Sequence, residues 1–93
     1  MKKIMKWLDG YGIKYSSSIE GRNEYITIML KPDCTWINGF GEPMKYDKKI
    51  VVHFSKHFGY SVHEYYGYNL VKTLTTCRKA DAVIETLKER FTI

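Results

Sequence analysis

Lys49-Ile50-Val51-Val52-His53-Phe54-Ser55-Lys56-His57-Phe58-Gly59-Tyr60-Ser61-Val62-His63-Glu64-Tyr65-Tyr66-Gly67-Tyr68 is the stretch that decides the fold. From Lys49 to Ser55, the apolar residues Ile50, Val52 and Phe54 alternate with Val51, His53 and Ser55. That is the period-two pattern of a strand with two different faces. Tyr60 to Tyr68 reads as a second strand. Between them, His57-Phe58-Gly59 suits a three-residue hairpin loop with Gly59 in the left-handed position. This loop sets Lys56 opposite Tyr60, Phe54 opposite Val62 and His53 opposite His63. It also keeps Ile50, Val52, Phe54 and Val62 on one face, as a core requires.

Working toward the C-terminus, Gly67-Tyr68-Asn69 is a turn and residues 70–76 a further strand. Ala80, Val83, Ile84, Leu87 and Phe91 then recur at helical spacing, so a helix is expected over about 78–91, capped by Thr76 or Cys77. Toward the N-terminus, residues 24–30 alternate through Ile26, Ile28 and Leu30. Residues 13–19 alternate through Ile13, Tyr15, Ser17 and Ile19, with the polar turn Glu20-Gly21-Arg22-Asn23 between them, which makes a hairpin. Residues 2–9 carry the stripe Ile4 and Leu8 of a short helix, with Gly10 as its left-handed cap. Pro32 is expected to close the second strand, because it has no N–H for a ladder. Residues 31–48 are read as a long connection in which Thr35-Trp36-Ile37 could form a short strand; a loop of that length in a small domain is usually functional. The expected architecture is α+β over residues 1–93 as one domain. An antiparallel sheet of four to five strands carries an N-terminal and a C-terminal helix on one face, in the order α-β-β-loop-β-β-β-α.

The composition fits such a domain. The 93 residues are 44% hydrophobic and 27% charged, and aromatic residues reach 15% with eight tyrosines. A chain of this size buries about 60–65% of the surface its unfolded form exposes, enough for one sheet and one or two helices. Fifteen basic against ten acidic residues give a formal charge of +5, which favours nucleic acid, an anionic surface or an acidic protein partner. Two cysteines are too few for a secreted disulfide scaffold. The cationic start lacks a signal-peptide apolar run, and no stretch reaches transmembrane length. The expectation is a cytoplasmic protein with reduced thiols and no membrane partner.

No pattern of residues carries chemistry at sufficient specificity. His53, His57 and His63 fall within eleven residues, but His53 and His57 stand far apart in extended chain. A cross-strand His53/His63 pair would need Cys34 as a third ligand to resemble a zinc site. Cys34 and Cys77 have no local signature of a nucleophile. Gly39-Phe40-Gly41 lacks the flanking strand, helix and lysine of a phosphate loop. The expectation is no catalytic residue, no metal and no cofactor.

The aromatic residues are the strongest lead. Trp36, Phe40 and Tyr46 crowd the long connection, and Tyr65 and Tyr68 lie in the last hairpin. Such rings serve as rigid anchors in protein interfaces and as stacking platforms for single-stranded nucleic acid. Lys45, Lys48, Lys49, Lys56, Lys72, Arg78 and Lys79 are the expected contacts to phosphates or to an acidic partner. The element order is similar to that of the double-stranded-RNA-binding domain. That family needs a basic N-terminus on its last helix, where Arg78-Lys79 supplies two residues only, and it lacks the extra strands. In size and in its lack of a catalytic motif, the chain resembles compact inhibitors encoded by phages and mobile elements, including those aimed at CRISPR effectors. The resemblance implies a non-enzymatic module that binds a protein or a nucleoprotein machine. The alternative is a nucleic-acid binder using a basic, aromatic sheet face. An unpaired edge strand, 13–19 or 70–76, offers a route to a homodimer.

Overall fold

A computed structural model describes residues 1–93. Five antiparallel strands form one sheet in sequence order: β1 (Tyr15–Glu20), β2 (Asn23–Ile37), β3 (Pro43–Ser55), β4 (Gly59–Tyr66) and β5 (Asn69–Cys77). Helix α1 (Lys2–Gly10) precedes the sheet and α2 (Ala80–Phe91) follows it. The α+β class and the element order are those expected from the sequence. No helix is long and apolar enough to cross a membrane.

The core follows from the pleat. Successive strand residues point to opposite faces, so the in-register row Ser17, Ile26, Val52, Val62 and Thr75 projects to one side. Next to it runs the row Tyr15, Ile28, Ile50, Glu64 and Lys72. Ile4 and Leu8 of α1 and Val83, Ile84 and Leu87 of α2 pack onto these rows, closing a core with Ile26, Ile28, Ile50, Val52 and Val62. Both helices therefore cover the same face. Glu64 is the one carboxylate drawn under α2, where its Oε1 accepts from Arg90 Nε at 2.9 Å and Nη2 at 2.6 Å. Lys3 of α1 pairs with Asp81 in the first turn of α2. The hydrogen bond from Lys3, then its charge, holds the Asp81 carboxyl below its ordinary value.

The structure corrects several expectations. The β3–β4 register is offset by two residues: Ser55 faces Gly59, Phe54 faces Tyr60 and Val52 faces Val62. The turn is Lys56-His57-Phe58, and Gly59 itself enters the ladder at φ +78°. A slip of two preserves which side chains share a face, so alternation alone cannot detect it. It does separate the histidines, since His53 faces Ser61 and His63 faces Val51. Gly10 ends α1 as a helical residue, and Gly12 (φ +67°) takes the left-handed position instead. Strand β5 runs through Cys77, and the N-cap of α2 is Lys79, which supplies no side-chain capping bond.

The largest correction concerns residues 31–48, which are not a loop. Pro32 does not close β2. It sits at an irregularity between Lys31 and Cys34, where Asp33 adopts φ +53° and its N–H donates to Asp47 Oδ1 at 3.1 Å. A bulge absorbs a residue that cannot join the ladder. Beyond it the strands resume pairing, Cys34 with Tyr46, Thr35 with Lys45, Trp36 with Met44 and Ile37 with Pro43. The Thr35-Trp36-Ile37 strand expected from the sequence is thus the distal part of β2. β1 accompanies β2 only as far as Ile28, and β4 accompanies β3 only as far as Lys48. The distal parts of β2 and β3 therefore project as a two-stranded ribbon, contributing to an overall extent of 44 × 29 × 20 Å.

Candidate functional site

The ribbon turn is built by Asn38. Its backbone N–H donates to Glu42 O at 3.0 Å, and its side-chain Oδ1 accepts from the N–H groups of Phe40 and Glu42. This holds Phe40 outward at the tip, where 90% of its surface is exposed. Ile37 is 63% exposed and Trp36 51%, and Met44 is also exposed beside them. Four large apolar side chains thus stand in water within nine residues of sequence. Trp36 and Met44 are cross-strand partners, so they project from the same face of the ribbon.

At the base of the ribbon the chain forms a concave site of about 550 Å³. Trp36, Lys45 and Tyr46 line it from the ribbon, and Tyr66, Gly67, Tyr68 and Asn69 line it from the β4–β5 hairpin. Gly67 N–H donates to Asp47 O at 2.8 Å, which ties the hairpin to the point where the ribbon leaves the sheet. The Tyr46 and Tyr66 ring centroids are 5.8 Å apart. Lys48 Nζ lies 4.8 Å from the Tyr66 ring centroid, and Lys49 Nζ lies 5.6 Å from that of Tyr68. Tyr68 occupies the turn and is 99% exposed. A smaller hollow of about 160 Å³ on the other side of the same hairpin is lined by Lys49, Val51, Tyr65, Gly67 and Tyr68.

Trp36, Lys45, Tyr46 and Tyr68, singled out from the sequence, thus line one concavity, with Lys48 and Lys49 beside it. Tyr65 lies with Lys49 in the neighbouring hollow, and Phe40 is at the tip. The remaining basic residues are elsewhere. Lys56 is in the β3–β4 turn at the opposite end of the sheet, and Arg78 adjoins it, since the Gly59 backbone packs against Cys77 and Arg78. Lys79 follows as the N-cap of α2, and Lys72 lies on β5 opposite Glu64. Tyr66, Gly67 and Asn69 line the concavity but were not singled out from the sequence. The signal for Tyr66 is its pairing with Lys48, which the corrected register supplies.

The sheet face opposite the helices is bare. Its central rows are Ser18, Tyr25, His53, Ser61 and Thr76, then Ser16, Thr27, Val51, His63 and Thr73, then Met29, Lys49, Tyr65 and Leu70. These rows contain no carboxylate. His53 stacks on Tyr25 at 4.8 Å and its Nε2 bonds Asn23 Oδ1 at 2.9 Å. His63 Nδ1 bonds Thr73 Oγ1 at 3.0 Å. Cys34 is remote from both histidines, in the ribbon, with its thiol directed at Lys31 O. No three His, Cys, Asp or Glu side chains converge as a metal site would require.

No family model, curated protein or solved structure matches this chain.

The arrangement itself therefore carries the functional argument. It combines an apolar projecting tip, a basic and aromatic concavity at its base and a bare polar sheet face.

Proposed function

We propose that the chain is a non-enzymatic binding module that docks its β2–β3 ribbon on a protein, the target being a nucleoprotein complex. One observation carries the reading: Trp36, Ile37, Phe40 and Met44 are exposed together on the distal ribbon. A cluster of large apolar groups in water is a feature of interaction surfaces. Burying Phe40 and Ile37 in a partner would contribute about 2 kcal/mol each. Trp36 and the tyrosines at the base add rigid rings of the kind that anchor interfaces. The lysines at the base, Lys45, Lys48 and Lys49, would then meet the nucleic acid or acidic surface of the same target. An inhibitor of a host machine, of the CRISPR-effector type, is the finer form of this reading; it is supported by size and by the absence of a catalytic motif.

The test is affinity purification of the wild type beside Phe40→Ala and Trp36→Ala variants. The expected outcome is a stoichiometric complex that survives high salt and weakens about tenfold or more in each variant. Full retention by both variants would assign the contact to another surface.

The carboxylate-free rows of the bare face favour a second reading, direct binding of single-stranded nucleic acid. Tyr25 and Tyr65 would stack bases and Lys49 would meet phosphate. Affinity would then fall steeply with added salt. An affinity that hardly changes between low and moderate salt removes this reading.

A further inference from the structure

The sheet has two edges, β1 and β5, and they differ. β5 meets β4 with two irregularities, between Val62 and His63 and between Glu64 and Tyr65, and it carries Lys72. Bulges and lysines are common protections of an edge. β1 has neither. Its six residues pair with β2 in unbroken register from Tyr15 to Glu20, with no proline and with serine at three successive positions.

The hairpin fixes which backbone groups of β1 are free. Glu20 faces Asn23 across the two-residue turn Gly21-Arg22, so this closing pair exchanges hydrogen bonds. Bonded and non-bonded positions alternate along an antiparallel pair. Ser18 and Ser16 therefore also turn their N–H and C=O groups toward β2. Tyr15, Ser17 and Ile19 turn theirs outward, into solvent.

We propose that β1 is the interface of a homodimer, two copies pairing antiparallel about a twofold axis through Ser17. Ser17 then faces the Ser17 of the other copy and exchanges both backbone bonds with it. Tyr15 and Ile19 do the same reciprocally. Ile19, 73% exposed in the single chain, is covered by Tyr15 of the other copy on the helix-bearing side. Lys14, just ahead of β1, comes opposite Glu20, so two cross-strand pairs of opposite charge form by symmetry. The neighbouring even registers lose this match. Centring on Ser18 sets Lys14 against Arg22, and centring on Ser16 sets it against Ser18. A shift by one residue would turn outward groups toward groups already bonded to β2. The resulting sheet is continuous across both copies, with all helices on one side and the two ribbons pointing in opposite directions.

Sedimentation velocity across roughly a hundredfold range of concentration tests this, because dimer population follows mass action. The wild type is expected to pass from monomer to dimer over that range. Ser17→Pro removes the central outward N–H at a position where an edge strand tolerates proline, and is expected to stay monomeric with an unchanged circular dichroism spectrum. Lys14→Glu and Glu20→Lys are each expected to weaken the dimer about fivefold or more, and the double variant to restore it, a readout that does not require the proline variant to fold. A wild type that stays monomeric throughout, a dimer indifferent to the charge swaps, or one lost in Phe40→Ala instead would overturn the proposal.

Discussion

Gly59 shows how one residue can fix the register of a sheet. Its left-handed backbone lets a three-residue turn feed directly into the ladder, and its missing Cβ makes room for β5: a Cβ there would stand 2.6 Å from Cys77 O. Both effects oppose a side chain. Gly59→Ala is expected to destabilise the fold by about 2–3 kcal/mol, read by urea denaturation, while Gly39→Ala in the open ribbon turn stays within about 0.5 kcal/mol. Equal losses in the two variants would show that the close approach to Cys77 is not a constraint. Glu64 makes a second residue-scale case. It is buried beneath α2 and accepts two bonds from Arg90, whose own side chain is 40% exposed. Arg90→Ala leaves a buried carboxylate without its partner. With solvent able to reach the site, the expected cost is about 1–3 kcal/mol, smaller than for a fully enclosed pair. The sequence pointed to the left-handed backbone of Gly59, but neither to its close approach to Cys77 nor to the contact between Glu64 and Arg90. Glu64 reads as one more polar position in an alternating strand, and only the packing of α2 brings Arg90 to it.

At the scale of elements, what the sequence revealed depended on burial. Ile50, Val52 and Phe54 announce β3, and the helical spacing of Val83, Ile84 and Leu87 announces α2, because each pattern records a face turned to the core. The distal ribbon has no such face. Apart from Cys34 its side chains are largely open to water on both sides, so no alternation was selected and residues 31–48 read as a loop. The aromatic content of the site was legible; the ribbon that carries Trp36 and Tyr46 to Tyr66 was not. The start of α2 escapes the sequence for a related reason. Thr76 is a good capping residue, yet β5 retains it, and the helix begins instead after Lys79 without a side-chain cap. Lys79→Ser should therefore stabilise the protein by about 0.5–1 kcal/mol in thermal or urea unfolding; a neutral or negative effect would mean that the helix terminus is satisfied in another way. The contact between the helices has its own pH signature. The carboxyl of Asp81 is held below its ordinary value of 3.8 by Lys3. A carboxyl of this kind contributes stability that is present above its unfolded-state pKa and lost as pH falls through the lower folded value. Wild type is thus expected to lose stability on acidification below about pH 4 more steeply than Asp81→Asn, and parallel acid limbs would remove the Lys3–Asp81 contact from the account.

The whole molecule divides its labour between a packed body and an unsupported arm. The residues of the core come from α1, α2 and the proximal strands, and none lies between Lys31 and Lys48. Leu30 is the last β2 residue packed against that core, and Ile50 is the first β3 residue within it. The ribbon therefore adds almost nothing to the apolar burial that stabilises the fold, while it holds the exposed rings on which the proposed interaction depends. A surface kept apolar at no benefit to folding is explained most directly by what it binds. A single internal deletion separates the two roles. Lys31 and Lys48 are cross-strand partners, and an Asn-Gly pair can join two facing residues as a two-residue hairpin turn. Replacing residues 32–47 with Asn-Gly removes Trp36, Phe40, Lys45 and Tyr46 together and also the bond from Gly67 to Asp47. The expected product folds cooperatively, within about 1–2 kcal/mol of the full chain because it loses that bond and the buried Cys34 but no residue of the main core cluster. It should lose the salt-resistant protein complex while keeping the edge β1 and hence the dimer. An unfolded product would make the ribbon part of the folding unit. A folded product that still captures the partner would move the interface to the body, with the bare sheet face as the surface to examine through Tyr25 and Tyr65.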